Sequence, residues 1–276
     1  MEEVTALYKE FEIYLAAFLL CLPRAYAFIA ASQLLAPTAV PRMARNVAIL
    51  VICLPITPIM LPLAPVFAEN LPLYFGYFAK EIALGFIMGY IILWFFWSVQ
   101  AAGAYIDNQR GAAIASSIDP LQGHESSPLG ILFSQAFITY FFTVGGFLLI
   151  INLLYISYRE WPVYELVPIY IEAFPALMFE LLDLGMRLAV VFSAPVIAVM
   201  FLTEFALAMV SRFAPQIQVF ILAMPIKSAV AMVILVFYIP IMFRYALGNQ
   251  DMITGYMEQF WEILRTGDEV GAPPTP

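Results

Sequence analysis

The chain of 276 residues is 63% hydrophobic and 12% charged, and its mean hydropathy is +0.90. Soluble domains carry about 25% charged residues, so this composition indicates an integral membrane protein. The net charge of −8 argues against nucleic-acid binding, which needs a basic face, and two cysteines within apolar runs, Cys21 and Cys53, are too few for a disulfide framework.

Six hydrophobic segments follow along the chain, some of them interrupted by ionisable residues or prolines. In order they are 11–35, 46–68, 82–106, 126–158, 188–211 and 213–243. Proline removes a backbone donor, so the broken helices need partners within protein or beside a cavity. We therefore expect an all-α, polytopic membrane protein of about six kinked helices. It would form a single membrane-embedded domain, 1–265, with a disordered tail, 266–276.

The third segment contains "KEIALGFIMG", in which Gly85 and Gly89 lie on one helix face. Small residues at this spacing let a second backbone approach closely, which is how membrane helices associate. We expect both glycines at a packing contact. The sequence leaves open whether that contact lies within the chain or with another subunit.

A polar stretch, "IDNQRGAAIASSIDPLQGHESSPLG", separates the third and fourth segments. Asp107 and Arg110 can pair across a helical turn that Gly111 ends, and Ser127 followed by Pro128 is typical of a helix start. Non-helical backbone at membrane depth persists only where protein or water surrounds it. We therefore predict a compact re-entrant loop flanked by helices.

The polar loop also holds the residue types of a metal site or a catalytic triad: Asp119, His124, Glu125 and Ser126. Such sites usually draw their groups from separate elements that fix the geometry, whereas these residues come from one loop. The chain has one histidine and no phosphate-binding glycine motif. We therefore expect no catalytic site, no metal and no cofactor.

Two further elements are predicted outside the apolar segments. Residues 157–187 are acidic, aromatic and rich in proline, so we expect a loop here that contains a short amphipathic helix outside the bilayer. A C-terminal amphipathic helix is predicted at about 250–265. Its polar face is mostly acidic, which favours docking on another protein over binding to anionic lipid.

Three ionisable residues, Arg24, Glu204 and Lys227, sit within otherwise apolar segments. Each costs roughly 2.5–3.5 kcal/mol at the centre of a bilayer, so each should be paired or face water. If the fifth and sixth segments form a hairpin, Glu204 and Lys227 come within reach of each other. Such a pair would either fix the packing of two kinked helices or belong to a proton or substrate path.

Two motifs, the polar loop and "SRFAPQIQVFILAMPIKS", resemble the T component of the export apparatus of type III secretion systems (SctT), a family related to the flagellar export protein FliR. The resemblance covers most of the chain. It implies a multi-pass subunit of a helical hetero-oligomeric channel in the bacterial inner membrane, surrounded by lipid. The implied partners are SctR and SctS, then SctU and SctV, and the unfolded proteins that are exported.

The resemblance also implies roles for particular residues. In this family the loop between the third and fourth segments helps to plug the closed channel, and here that loop is 106–128. Its matching positions are Ile106, Asp107, Gln109, Arg110, Gly111, Asp119, Pro120 and Pro128. The second motif corresponds to Ser211, Arg212, Pro215, Gln216 and Lys227.

Two other classes of function remain open from the residues alone. A secondary transporter would use Glu204, Lys227 and the broken helices as a site at the membrane midplane. Transporters usually have two related halves, and the polar loop has no second copy, which counts against this class. A membrane enzyme is disfavoured because a nucleophile with its base, or a metal-binding set, is missing.

Overall fold

The computed structural model describes residues 2–35, 40–62, 64, 71–111, 127–165, 173–213, 219–249 and 251–271. Within these ranges the chain forms nine helices, which confirms the all-α class. They are α1 (Glu2–Ser32), α2 (Arg42–Cys53), α3 (Thr57–Met60), α4 (Leu71–Arg110), α5 (Pro128–Thr143), α6 (Gly146–Glu160), α7 (Ala173–Phe213), α8 (Val219–Gly248) and α9 (Asp251–Gly271).

Four helical stretches among the described residues are long and apolar enough to cross a membrane. They are Glu10–Ser32, Pro72–Arg110, Phe174–Phe213 and Leu222–Arg265. A fifth candidate results if α5 and α6, which are separated by a break at Val144 and Gly145, are counted as one broken span. The protein is therefore a multi-pass membrane protein, as its composition predicted.

The second predicted segment, 46–68, is not one continuous helix in the part that the structure describes. α2 ends at Cys53, a turn follows, and α3 has only four residues. Pro58 lies in the first turn of α3, where its missing N–H is tolerated. The prolines divide this apolar stretch into short helices, so the number of candidate spans falls below the six predicted.

The loop predicted over 157–187 is much shorter in the structure. α6 extends to Glu160, and α7 begins at Ala173 and continues through the stretch where a separate short helix was expected. Pro175 does not interrupt α7 because it stands in the first turn, where proline costs no hydrogen bond. Residues 166–172 lie outside the described part.

The C-terminal helix also differs from the prediction. α9 begins at Asp251, as expected, but continues to Gly271, so the part of the expected tail up to that residue is helical. Residues 272–276 are not described by the structure. The apolar face of α9 is buried at Ile253, Met257, Phe260, Trp261 and Leu264.

The apolar face of α9 is covered by residues of the same chain. The rings of Phe260 and Phe174 lie 6.5 Å apart, and Arg265 forms an ion pair with Glu160. The apolar face is therefore covered by the chain itself, and the docking of α9 on another protein through its acidic polar face stays a prediction.

The chain divides into two compact units. One comprises Met1–Leu93, Gly145–Phe179 and Met252–Pro276, and the other comprises Trp94–Val144 and Glu180–Asp251. The core of the second unit is aromatic, because the ring of Phe137 lies 5.6 Å from that of Phe96 and 5.3 Å from that of Phe243. α4, α5 and α8 each contribute a ring to this cluster.

In the first unit, α4 packs directly on α1 at the two glycines. A Cβ atom added to Gly85 would lie 2.2 Å from the carbonyl oxygen of Arg24, and one added to Gly89 would lie 2.5 Å from that of Phe28. No side chain fits at such distances. The glycine contact is therefore made within the chain, which is one of the two possibilities that the sequence left open.

We predict that Gly85→Ala lowers the free energy of unfolding by about 1–3 kcal/mol, because the new methyl group forces α4 away from α1. The measurement is thermal unfolding in detergent, followed by tryptophan fluorescence. Gly76→Ala is the matched control, since Gly76 is on the same helix and a Cβ there meets nothing within 4 Å. Equal unfolding midpoints for the two variants would contradict the close packing.

Candidate functional site

The two ends of the polar loop meet at the carboxylate of Asp107. This residue lies in the last turn of α4, and only 2% of it is exposed. Its Oδ2 accepts hydrogen bonds from Ser127 Oγ at 2.5 Å and from Leu129 N at 2.8 Å, and its Oδ1 accepts one from Arg110 Nε at 2.6 Å. One buried side chain thus ties the residues before the loop to those after it.

The local sequence explains why these groups meet. Asp107 and Arg110 are one helical turn apart, and α4 ends at Arg110, followed by Gly111, whose φ of +85° suits glycine. On the other side, Ser127 Oγ accepts from Gly130 N at 2.9 Å and caps α5, with proline following. The predicted helix start at this serine is confirmed.

α4 and α5 cross at backbone contact just beside this carboxylate. A Cβ atom on Gly103 would lie 2.7 Å from the backbone atoms of Leu129 and Gly130, so only glycine permits this crossing. The close approach brings the first turn of α5 to the last turn of α4. Asp107 can therefore cap α5 with a negative charge, as the helix dipole favours.

Arg110 links the carboxylate of Asp107 to a third helix, α8. Its Nη1 donates to Ser228 Oγ of α8 at 3.4 Å, while its Nη2 lies 2.6 Å from Asp107 Oδ1. Its side chain is 13% exposed and Asp107 is its ion-pair partner. We call this set the loop base: Asp107, Arg110, Ser127, Leu129 and Ser228.

The other residues that the resemblance assigns to the loop are placed as follows. Ile106 is fully buried, Gln109 is half-buried, and Pro128 is exposed in the first turn of α5. Residues 112–126 lie outside the described part, and with them Asp119 and Pro120. Of the second motif, Arg212 is exposed in the last turn of α7, whereas Pro215 and Gln216 lie outside the described residues.

The ion pair that was considered between the fifth and sixth segments is present. Lys227 Nζ of α8 lies 3.1 Å from Glu204 Oε2 of α7. The side chain of Lys227 is 11% exposed, but that of Glu204 is 49% exposed. The lysine is enclosed and the carboxylate stands at the surface of its unit.

The first unit holds a second charged cluster, centred on Arg24 of α1. Arg24 Nε and Nη2 donate to the two carboxylate oxygens of Glu81 at 2.7 and 2.8 Å, and both side chains are completely buried. Nη1 also donates to the carbonyl of Ser157 at 2.7 Å and Nη2 to that of Trp161 at 2.9 Å. Bidentate pairing of this kind is the strongest form of the ion pair.

Sequence reasoning found Arg24 but missed its partner. Glu81 stands one residue before the charge-free run that begins at residue 82. It was therefore placed at the end of a segment and not among the ionisable residues inside the apolar segments. The available signal was chemical, because an arginine inside an apolar segment requires an acid at a similar depth. Glu81 in the segment that follows the α2–α3 region met that requirement.

Lys80 completes the cluster by holding the backbone that follows α6. Its Nζ donates to the carbonyl oxygens of Pro162, Val163 and Glu165 at 3.2, 2.7 and 2.9 Å, and lies 2.9 Å from Glu81 Oε1. These carbonyls are outside any helix. Non-helical backbone needs such donors, so Lys80 and Arg24 stabilise this turn together with Tyr77, whose hydroxyl donates to the carbonyl of Tyr164.

The described residues contain no group of three or more His, Cys, Asp or Glu side chains that could hold a metal ion. The loop residues His124, Glu125 and Ser126 lie outside that part of the chain. The described clusters hold carboxylates paired with cations and hydrogen-bond donors. Their chemistry is therefore that of fastening one segment of chain to another.

Comparison with known proteins assigns the chain to a family. The family model described as "Bacterial export proteins, family 1" matches residues 15–251. The chain belongs to this family. The match includes both ends of the polar loop, the Glu204–Lys227 pair and the Arg24–Glu81 cluster.

Several relatives in this family are similar over much of their length. Yop proteins translocation protein T of Yersinia pestis is 43% identical over 167 residues, which are 60% of this chain and 64% of the Yersinia protein. Surface presentation of antigens protein SpaR of Salmonella typhimurium is 32% identical over 222 residues, 79% of this chain and 81% of SpaR. Flagellar biosynthetic protein FliR of Bacillus subtilis is 31% identical over 165 residues, 59% of this chain and 64% of FliR. The matched regions thus span less than two thirds of the Yersinia and Bacillus proteins.

We predict that Glu81→Gln lowers the free energy of unfolding by about 3–5 kcal/mol, because it leaves a buried guanidinium without its counter-charge. The matched control is Asp183→Asn, which breaks an ion pair that is 67–69% exposed and costs less than about 1 kcal/mol. Reversible unfolding in mixed micelles measures both variants. A loss no greater than that of the control would show that the Arg24 cluster does not stabilise the first unit.

Proposed function

We propose that this chain is a core subunit of a type III secretion export gate in the bacterial inner membrane. Together with SctR and SctS it would form the channel through which unfolded proteins are exported, and it would associate with SctU and SctV. Membership of the export-protein family and the names of its secretion and flagellar relatives support this assignment. A structural role in the channel wall agrees with charged clusters that fasten one segment of this chain to another.

The observation that carries the proposal is the loop base. A plug must hold its position against the lumen, and its ends must therefore be fixed while its middle is free to move. Asp107 meets the first need by joining Arg110, Ser127 and Leu129 in a nearly buried hydrogen-bond network. The loop 106–128 would accordingly help to seal the closed channel, with the intervening residues forming the plug.

Assembly with other subunits is supported by the apolar side chains that the chain leaves uncovered. Met43 of α2 is 83% exposed, Phe75 of α4 is 63% exposed, and Phe237 of α8 is 73% exposed. Lipid can cover part of this surface. Proline-broken helices also need protein neighbours, since free carbonyl groups have no partner in hydrocarbon.

Shortening the segment 111–118 should make the assembled complex leak ions while two smaller hydrophobic subunits still co-purify with the chain. The loop base stays in place, but too little chain is left to fill the lumen. Conductance in planar bilayers measures the leak, and Ser116→Ala is a control that preserves loop length. Wild-type conductance of the shortened complex would remove the plug assignment.

The same recordings can include Asp107→Asn, which keeps the loop length and weakens the loop base. Hydrogen bonds to a charged group contribute about 1.5–3 kcal/mol each, so losing the charge should raise the closed-state leak by about tenfold or more. Asp183→Asn, on an exposed ion pair of α7, serves as the charge-matched control. If the Asp107→Asn variant has the closed-state leak of the wild type, the loop base does not hold the plug.

A further inference from the structure

The last part of α7, residues 201–213, is almost without cover. None of these residues is buried by the described part of the chain, and Phe201, Leu202 and Phe205 are each 60–63% exposed. The sequence of this stretch is nevertheless apolar, apart from Thr203, Glu204, Ser211 and Arg212. We call residues 201–213 the uncovered face. A surface of this composition is covered by lipid or by another protein.

Glu204 is the residue that decides between cover by lipid and cover by another protein. The hydroxyl groups of Thr203 and Ser211 donate within their own helix, to the carbonyls of Val199 and Ala208 at 2.9 and 2.7 Å. Both are therefore satisfied in any surroundings. Glu204 instead receives one hydrogen bond among the described residues, from Lys227 to Oε2, and its Oε1 receives none.

A half-exposed carboxylate with an empty oxygen is costly beneath lipid. Hydrocarbon supplies no donor, and an unsatisfied charged acceptor costs more than a neutral one. A protein neighbour can supply the donor. The uncovered face therefore fits a protein partner better than it fits lipid.

The charge of the pair decides the chemistry of that partner. Lys227 already neutralises Glu204, so a second lysine or arginine would leave an uncompensated positive charge, and an acid would be repelled. What is missing is a hydrogen-bond donor without charge. Hydroxyl, amide and indole side chains meet this condition.

We propose that the uncovered face of α7 is the docking site for an apolar helix of a neighbouring subunit, which places a neutral hydrogen-bond donor against Glu204. This inference rests on the proposed function, in that the chain must be assembled with other subunits. It goes further by naming one contact point and the chemistry that the neighbour presents there.

The test removes both members of the pair, in the double variant Glu204→Leu with Lys227→Met. The net charge is kept and no unpaired charge is left, but the exposed position no longer accepts a hydrogen bond, so the neighbour's hydroxyl, amide or indole group loses its acceptor. We expect the yield of co-purified subunits in mild detergent to fall by about tenfold, as for one lost hydrogen bond to a charged group. The matched control is Asp183→Leu with Arg187→Met, an exposed pair on the same helix, which should co-purify at the wild-type yield.

A second measurement leaves the pair intact and so does not depend on the folding of the double variant. A photo-crosslinking benzoylphenylalanine replaces Phe205, and the adducts formed in native membranes are identified by mass spectrometry. Adducts with a protein helix support the inference, whereas adducts with lipid alone overturn it. Wild-type co-purification of the Glu204→Leu, Lys227→Met variant also overturns it while leaving the export-gate proposal standing. A wild-type chain that purifies alone would overturn both.

Discussion

Polar groups in a chain with so few charges must find their partners within protein, and this constraint shapes every cluster in the structure. Arg24 shows it most completely, because its guanidinium donates to both oxygens of Glu81 and to two carbonyl groups with no exposure to solvent. The pair holds α1 and α4 together beside the glycine contact. Lys80 does the same in the turn after α6, where its ammonium group donates to three carbonyl groups that lie outside any helix. Charge is used here to fasten backbone that cannot form a helix.

The same constraint explains the polar loop. A polar stretch of this length is unfavourable in lipid because its polar groups find no hydrogen-bond partners there. Both of its ends converge on one nearly buried carboxylate, that of Asp107. Glycines at the α4–α5 crossing permit that convergence, since a side chain there would clash with backbone atoms. Fixed ends around a long polar stretch suit the proposed element that fills an aqueous lumen. The export-protein family provides the setting in which such an element has a use.

The sequence predicted features that depend on local chemistry. The membrane class, the all-α fold, the start of α5 at Ser127 and Pro128, and the reach of Lys227 to Glu204 all follow from composition, capping rules or helical spacing. Features that depend on distant contacts were harder to predict. Glu81, whose partner is 57 positions away, was missed because it stands just outside the charge-free run, and the chain's own cover for the apolar face of α9 cannot be read from an amphipathic pattern. The glycine contact at Gly85 was undecided for the same reason, since spacing shows that a helix packs closely but not on what.

The central claim is that this chain is completed by neighbours and encloses a sealed lumen with them. Electron cryomicroscopy of the complex purified through a tag on this chain tests it most directly. The account predicts protein helices against residues 201–213 and residues 112–126 within a closed central channel. A single copy of the chain in its detergent micelle, with those residues in bulk solvent and the surface of α7 covered only by detergent, would contradict it.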